Sequence, residues 1–278
     1  MATNIPPHAL RRWGAAMVLA AAAAGAGAQE KDRTIEEIER YRQMLQDGNP
    51  AELLVVRGEE LWKTKRGPKN ASLEQCDIGL GPGVVKGAYA QLPRHFADTN
   101  QVMDFEARLV HCMVTLQGFD RAEVTKSPFS GAGQRQTDIE AITTFVVDQS
   151  RGVPVKISQS HPMERASFER GRQLFYMRGG PYDFSCATCH GVDGQRIRLQ
   201  DLPNISHNKQ DAARAFTTWP AYRVSQGALR TMQWRLNDCF RQQRFPEPIF
   251  VSQGTIDLIT FLGVNANGAK MDSPAIKR

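Results

Sequence analysis

The run Cys-Ala-Thr-Cys-His at residues 186–190 restricts the fold of this chain more than any other feature. A Cys-x-x-Cys-His run is the attachment signal for haem c, whose porphyrin binds both thiols while the histidine binds the iron. We therefore predict one covalently attached haem c, held by Cys186 and Cys189, with His190 as the proximal iron ligand. The alternative is a redox or zinc pair of cysteines beside an incidental histidine. A zinc site would need a second ligand pair at similar spacing, and the sequence contains none.

Residues 1–28 have the composition of a secretory signal peptide. Arg11 and Arg12 precede a short apolar run at 14–24, and a small-residue cleavage site follows. That run is shorter than the roughly 20 residues that span a bilayer, and the sequence contains no longer one. We expect export to the periplasm by the general secretory route rather than the twin-arginine route. The mature chain would begin near Gln29 and would have no membrane span.

The charge of the chain is mildly positive. Removal of the predicted signal peptide lowers the formal net charge from +6 to +4, because that segment holds two arginines and no acid. The remaining basic residues are scattered, and no nucleic-acid recognition motif accompanies them. We therefore expect no nucleic-acid partner, whereas the excess of positive charge favours an acidic partner or an anionic substrate.

An internal repeat divides the chain into two halves. The pattern Arg-Gly-x-x-Leu followed by an aromatic residue occurs at 57–62 and again at 170–175, and we call the shift between these copies the first offset. The pattern Arg-Leu-x-x-Cys occurs at 108–112 and again at 235–239, which defines the second, larger offset. Because these matches keep their order, they indicate a tandem duplication. A polar segment with prolines places the boundary between the halves near residue 150.

The first half has lost most of its haem-attachment residues. At the first offset, Cys76 lies at the position of the second haem thiol, but Leu73 and Asp77 replace the first thiol and the histidine. The predicted fold is therefore mainly α, with two tandem cytochrome c-like domains at 29–150 and 151–278. The first domain is degenerate and haem-free.

The cysteines outside the haem motif are Cys76, Cys112 and Cys239. By the repeat, Cys76 marks the lost attachment site of the first half. Cys112 marks the place where that haem would have met its second axial ligand, so the two cysteines should be neighbours. We predict a Cys76–Cys112 disulfide, which would stabilise the fold by ~3–4 kcal/mol on the chain-entropy estimate.

Cys239 is then the candidate for the distal iron ligand, because the repeat marks its position. Met232, Met271 and His207 are the alternatives, together with an open site. A thiolate ligand stabilises ferric iron and lowers the reduction potential, whereas a thioether raises it. A thiolate also needs positive surroundings to stay deprotonated.

Arg235 lies four residues before Cys239, on the same face of a predicted helix. This spacing predicts a site where an anion meets a nucleophilic sulfur, with Arg235 as the anion-binding residue. The alternative is that the arginines of this region bind haem propionates or face water. We favour that alternative for Arg230, Arg241 and Arg244.

Taken together, these residues resemble the SoxA subunit of the SoxAX cytochromes of bacterial thiosulfate oxidation. The resemblance covers nearly the whole mature chain. It is carried by the tandem halves, the motif at 186–191 and Arg-x-x-x-Cys at 235–239. It implies the monohaem type of this family and supports the disulfide. It also implies that Cys239 is both an iron ligand and the catalytic thiol, a residue commonly found as a persulfide in that family.

The activity implied by the resemblance is L-cysteine S-thiosulfotransferase. The small cytochrome SoxX would be the partner subunit in a heterodimer, and the carrier SoxYZ would accept thiosulfate on a cysteine. Arg235 would hold the sulfonate group while Cys239 engages the terminal sulfur. Two other readings remain. A simple electron-transfer cytochrome would have a methionine or histidine ligand, and a non-catalytic scaffolding subunit would not require Cys239.

Overall fold

Both copies of the repeated patterns lie within residues 49–278. The predicted signal peptide and most of residues 29–47 lie outside the part of the chain that the structure describes. None of the described helices is long and apolar enough to cross a membrane. The structure, a computed structural model, describes residues 36, 37, 40, 41, 44, 48–197 and 200–277.

The first half consists of helices and one short hairpin. Polar side chains cap two of these helices: Asp104 accepts a hydrogen bond from the Ala107 N–H at 2.8 Å, and Thr137 forms a capping box with Glu140. The elements are α1 (Ala51–Lys63), β1 (Arg94–Phe96), β2 (Gln101–Met103), α2 (Phe105–Thr115), α3 (Arg121–Lys126) and α4 (Asp138–Asp148), with 3₁₀ turns at Leu73–Gln75 and Tyr89–Gln91.

The second half repeats this plan and adds strands. Strand β5 pairs antiparallel with β6 and parallel with β7, so the sheet order is β6-β5-β7. The elements are α5 (Pro162–Tyr176), α6 (Cys186–His190), β3 (Arg196–Ile197), β4 (Gln200–Asp201), α7 (Lys209–Thr217), β5 (Ala221–Arg223), a 3₁₀ turn (Val224–Gln226), β6 (Ala228–Arg230), α8 (Met232–Gln242), α9 (Gln253–Asn265) and β7 (Ala275–Lys277).

In each half the first and last helices cross at a glycine. A Cβ built on Gly58 of α1 would lie 2.8 Å from Cβ of Phe145 on α4, and closer still to a backbone carbonyl. A Cβ built on Gly171 of α5 would lie 3.0 Å from Cβ of Phe261 on α9, again with a carbonyl closer. Only glycine allows the two backbones to approach this closely.

The second offset holds over a continuous segment of structure. The shift that carries Arg108 onto Arg235 also carries the bounds of β1, β2 and α2 onto those of β5, β6 and α8. The strand register is kept as well, because Arg94 pairs with Met103 as Ala221 pairs with Arg230. The two halves therefore share a hairpin that leads into a helix bearing an Arg-x-x-x-Cys segment.

Cys76 and Cys112 form a disulfide, with their Cα atoms 5.8 Å apart. Both residues are buried in the apolar core of the first half. The pairing predicted from the repeat is confirmed. Leu73, at the position of the first haem thiol, is fully buried in the same core. The haem-motif positions of this half therefore contribute to hydrophobic packing and a covalent cross-link.

Candidate functional site

The haem motif forms the short helix α6. Ser185 caps its first turn by accepting a hydrogen bond from the Thr188 N–H at 3.1 Å, and the Thr188 hydroxyl accepts one from the Ser185 N–H at 3.0 Å. This capping box fixes the turn that carries both cysteines. Cys186 and Cys189 are three residues apart, so they project from the same side of the turn.

His190 is oriented by a hydrogen bond from the opposite side of its ring. Its Nδ1 atom lies 2.8 Å from the carbonyl oxygen of Pro203, which can only accept, so Nδ1 carries the proton and Nε2 is left as the ligand atom. Burial lowers the pKa of His190, the Pro203 hydrogen bond opposes that shift, and the charge of Arg235 lowers it further. The neutral imidazole is the form that binds a metal ion.

Three free cysteines meet at this site. Burial raises the pKa of Cys186 to about 12, and the charge of Cys239 contributes to the shift. Burial and then the charge of Cys239 also raise the pKa of Cys189. Cys239 on α8 therefore lies close enough to both motif cysteines to act on them electrostatically. All three are free thiols and partly exposed.

The alternative iron ligands lie in different surroundings. Met271 is buried in the apolar core, and its N–H donates to the Val153 carbonyl in a backbone pairing. Met232 is also a core residue and opens α8, about 10 Å along the helix axis from Cys239 at 1.5 Å per residue. His207 is exposed, and its N–H donates to Asn204.

Arg235 reaches the site from α8. Its Nη1 atom donates to Oδ2 of Asp238 at 3.1 Å, and its guanidinium carbon lies 5.9 Å from the centre of the Trp219 ring. The side chain is 23 % exposed. Its charge also acts on His190 of α6. The structure thus brings the predicted arginine to the predicted haem-motif helix.

The other predicted arginines either have partners within the protein or face solvent. Arg230 is buried, lies 3.5 Å from Glu140 of the first half and packs over the Trp234 ring at 4.5 Å. Arg241 donates to Asp238, which it shares with Arg235. Arg244 is exposed and has a left-handed backbone with φ of 60° just after α8.

Sequence reasoning did not select Arg223, which also acts on this site. Burial lowers the pKa of Arg223, the charge of Arg235 lowers it further, and Asp238 and Cys239 raise it. Arg223 lies well before Cys239 in the chain and outside any motif, so local spacing does not mark it. The signal that could have found it is the second offset, at which Arg223 replaces Phe96.

The donor set fits a haem c. Cys186 and Cys189 are free thiols on one side of a capped turn, and His190 is a neutral imidazole with Nε2 available. Sulfur donors and an oriented imidazole are the ligands that hold such a group. Helices that cross at a glycine around this motif define a cytochrome c-type protein, and a cytochrome c domain implies haem c.

Comparison with known proteins identifies the family. Residues 57–155 match the family described as SoxA/TsdA, cytochrome c domain. The chain is 52 % identical over 244 residues to the L-cysteine S-thiosulfotransferase subunit SoxA of Hydrogenophilus thermoluteolus, and this match covers 88 % of each chain. A subunit of the same name from Hydrogenobacter thermophilus is 30 % identical over 253 residues, which cover 90 % of this chain and 91 % of the relative. The chain belongs to the SoxA family.

A solved structure has the same fold. The similarity is to the crystal structure of SoxXA from P. pantotrophus, with a TM-score of 0.70 and 24 % sequence identity. The superposition covers 86 % of this chain and 84 % of the solved one. The shared fold therefore extends well beyond residues 57–155.

Proposed function

We propose that this chain is the haem c subunit of a periplasmic L-cysteine S-thiosulfotransferase. The reaction joins the terminal sulfur of thiosulfate to a cysteine sulfur of the carrier SoxYZ. One S–S bond forms, the carrier thiol loses its proton, and two electrons leave toward the cytochromes. The convergence of Cys239 and Arg235 on the helix with the haem motif carries this proposal. The names of the SoxA relatives support it.

The haem would be held by Cys186 and Cys189, with His190 and Cys239 as the residues that would bind its iron. When bound, it supplies a one-electron redox centre beside the Cys239 sulfur. Cys239 is preferred over Met232 because its charge acts on both motif cysteines, whereas Met232 belongs to the apolar core. Met271 belongs to the same core, and His207 is exposed.

One haem per chain is proposed, in a second domain at 151–278. The first domain, at 29–150, would be a degenerate cytochrome c domain without haem. The disulfide between Cys76 and Cys112 uses both cysteines of that half, and Leu73 is packed in its core. These three positions leave no thiol for a second attachment.

Arg235 would bind the sulfonate group while Cys239 contacts the sulfur end of thiosulfate. A guanidinium group is suited to this task because its fork of N–H donors matches an oxyanion. Asp238 holds Arg235 in place through one hydrogen bond and leaves its other donors for the substrate. The sulfur of the carrier cysteine would then form its bond with the terminal sulfur of thiosulfate.

The partner subunit would be the small cytochrome SoxX. A transfer that releases two electrons needs a second one-electron centre, and the solved relative is a SoxXA complex. The periplasm is the compartment in which a disulfide such as Cys76–Cys112 persists. Export would depend on residues 1–28.

Thiosulfate turnover with purified carrier tests the proposal. We expect Cys239→Ser to lower turnover at least about 1,000-fold, as loss of a catalytic nucleophile does. Arg235→Ala should lower kcat/KM about 10–100-fold, because a charged hydrogen bond is lost. Arg214→Ala, which removes a surface arginine paired with Asp211 on α7, is the matched control and should behave as the wild type.

A haem assay on the same samples separates catalysis from assembly. We expect Arg235→Ala and Arg214→Ala to keep one haem per chain. Full turnover by Cys239→Ser would contradict the transferase and favour a simple electron-transfer cytochrome. Wild-type turnover by Arg235→Ala would remove Arg235 from the site.

A further inference from the structure

Arg223 differs from the other arginines beside Cys239 because its guanidinium forms no hydrogen bond or ion pair with any described residue. Its Nε atom is also buried away from solvent. A buried, charged N–H group without an acceptor costs free energy. The arrangement therefore points to an acceptor that the described side chains do not supply.

The strand that carries Arg223 fixes the direction of its side chain. Residues two apart on a strand share a face, so Arg223 lies on the same face of β5 as the fully buried Ala221. Arg223 is also the cross-strand neighbour of Lys277 on β7. The side chain is thus aimed inward from the middle strand of the sheet.

The groups that act on Arg223 show what it faces. They are Arg235, Asp238 and Cys239 on α8, together with Arg230 on β6. Asp238 accepts hydrogen bonds from Arg235, Arg241 and Gln242, so its oxygens are already engaged. Arg230 has Glu140 as its own acid. Beside Cys239, positive charge is therefore in excess.

Lys277 adds another positive charge near Arg235. Lys277 Nζ lies 5.5 Å from the centre of the Trp219 ring, and the guanidinium carbon of Arg235 lies 5.9 Å from the same point. Positive side chains from β7 and α8 thus meet at Trp219, and Arg223 of β5 is the cross-strand neighbour of the lysine.

The fold itself does not require an arginine at position 223. In the first half the equivalent residue is Phe96, which lies in a hairpin of the same register. The Phe96 ring packs under the guanidinium of Arg108, with 4.2 Å between the guanidinium carbon and the ring centre. An aromatic residue therefore serves the packing role, and the charge of Arg223 calls for another explanation.

We propose that Arg223 and Arg235 form a two-arginine clamp that binds the sulfonate group of thiosulfate beside Cys239. This inference rests on the proposed function and adds a second substrate-binding residue to it. Two guanidinium forks can share the three sulfonate oxygens, and all the donors of Arg223 are free to do so. The same clamp would accept sulfate, a tetrahedral oxyanion that lacks the reactive terminal sulfur.

The test compares Arg223→Met and Arg223→Lys with Arg214→Met in the haem-loaded complex with the partner cytochrome. Methionine keeps the length of the side chain and removes the charge, whereas lysine keeps the charge and loses the fork. Arg214→Met removes one positive charge from the exposed face of α7 and serves as the control. Calorimetry measures the Kd of thiosulfate and of sulfate, and steady-state kinetics gives KM and kcat.

We expect Arg223→Met to raise the Kd of both anions and the KM of thiosulfate about 10–100-fold, the cost of charged hydrogen bonds. Arg223→Lys should give a smaller rise, and Arg214→Met none. A Kd equal to that of the wild type in Arg223→Met overturns the clamp. Lost haem with unchanged anion affinity also overturns it, because Arg223 would then serve the haem.

Two other results are possible: Arg223→Met does not fold, or the wild type binds the anions without transferring thiosulfate. If Arg223→Met does not fold, Arg223→Lys decides, and a wild-type Kd for that variant overturns the clamp. If the wild type binds both anions through Arg223 but transfers no thiosulfate to the carrier, the clamp stands and the proposed transferase fails. The binding and turnover measurements thus separate the two ideas.

Discussion

The two halves place an equivalent arginine in opposite surroundings. In the first half, Arg108 is 6 % exposed; its Nη1 atom donates to both oxygens of Asp98, at 2.9 and 2.7 Å, and its Nε atom donates to the Asp77 carbonyl at 2.6 Å. In the second half, Arg235 is 23 % exposed and donates to one carboxylate oxygen of Asp238 at 3.1 Å. Within the described residues, Arg108 therefore donates three hydrogen bonds to the protein, whereas Arg235 donates one.

The cysteines and the strand residues differ between the halves in the same way: those of the first half have partners within the protein, and those of the second half have none among the described residues. Cys112 is locked in a disulfide, whereas its counterpart Cys239 is a free thiol. Phe96 packs under Arg108, whereas its counterpart Arg223 has no partner among the described side chains. The same backbone arrangement thus carries, at these positions, side chains with internal partners in the first half and side chains without described partners in the second half. Internal partners make the difference, because a donor or a thiol that already binds within the protein is not available to a ligand.

Removal of the disulfide should give the largest effect on stability. We expect Cys76→Ala/Cys112→Ala to lower the free energy of unfolding by ~3–4 kcal/mol, because the cross-link no longer restricts the unfolded chain. Denaturant unfolding measures this change. Haem content and thiosulfate turnover should persist where the variant is folded, since the disulfide belongs to the first half. Loss of haem with retained folding would show that the two halves are not separable in this way.

The glycine crossings test whether the halves share one architecture. Gly58→Ala and Gly171→Ala should each lower the free energy of unfolding by about 1–3 kcal/mol, because the added methyl group would overlap the backbone of the facing helix. Thermal and denaturant unfolding compare the two variants. Gly254→Ala on α9 is the control, since its nearest neighbour would be Leu174 Cδ1 at an ordinary 3.7 Å. If only one crossing is sensitive, the halves do not pack alike.

A smaller effect should appear where α2 meets α8. Asp104 caps α2 and accepts a hydrogen bond from Gln233 of α8 at 2.6 Å. Burial raises the pKa of Asp104 to about 6, against the lowering effect of the Ala107 and Gln233 hydrogen bonds. The neighbouring Glu106 is also buried, and its pKa is raised well above the ordinary value by burial and by the charge of Asp104.

The raised pKa of Asp104 fixes the sign of a pH dependence. The folded state holds this proton up to about pH 6, whereas the unfolded state releases it near the ordinary value of 3.8. Stability should therefore fall as pH rises between these values, by at most about 1.4 kcal/mol per pH unit for one proton. Asp104→Asn keeps a capping side chain and should flatten this slope in unfolding measured across pH.

Asp98 provides a control of opposite sign. Although burial opposes it, the hydrogen bond and charge of Arg108 hold the pKa of Asp98 below its usual value. Its contribution to stability is therefore present above the ordinary pKa and is lost as pH falls. Asp98→Asn should lower stability at pH 7, and not at the acid end. If Asp104→Asn and Asp98→Asn changed the pH profile in the same direction, the contrast between the two carboxylates would be wrong.

Much of this protein could be predicted from short patterns and their repetition. The disulfide of Cys76 and Cys112 followed from the two offsets and is confirmed by the structure. The iron ligands and the roles of Cys239 and Arg235 remain predictions. The family resemblance is borne out by the SoxA relatives.

Other features could not be predicted because they depend on partners far apart in the chain. The Asp104–Gln233 contact joins residues 129 positions apart, and the ion pair of Arg230 with Glu140 joins the two halves. No local pattern shows which arginine has an acid beside it. Arg223 was missed for this reason, since only the pairing of strands shows which way its side chain points.

Spacing along the chain was enough to establish the haem motif, the repeat with its paired cysteines, and the Arg-x-x-x-Cys segment that recurs in the second half. Helix and strand geometry converts such spacing into a shared face, so these features need no knowledge of distant contacts. The folded chain was needed to show that, within its described residues, one copy of the arginine donates three hydrogen bonds to the protein and the other donates one. That outcome depends on which acids and rings fold against each guanidinium, as Asp98 and Phe96 do for Arg108.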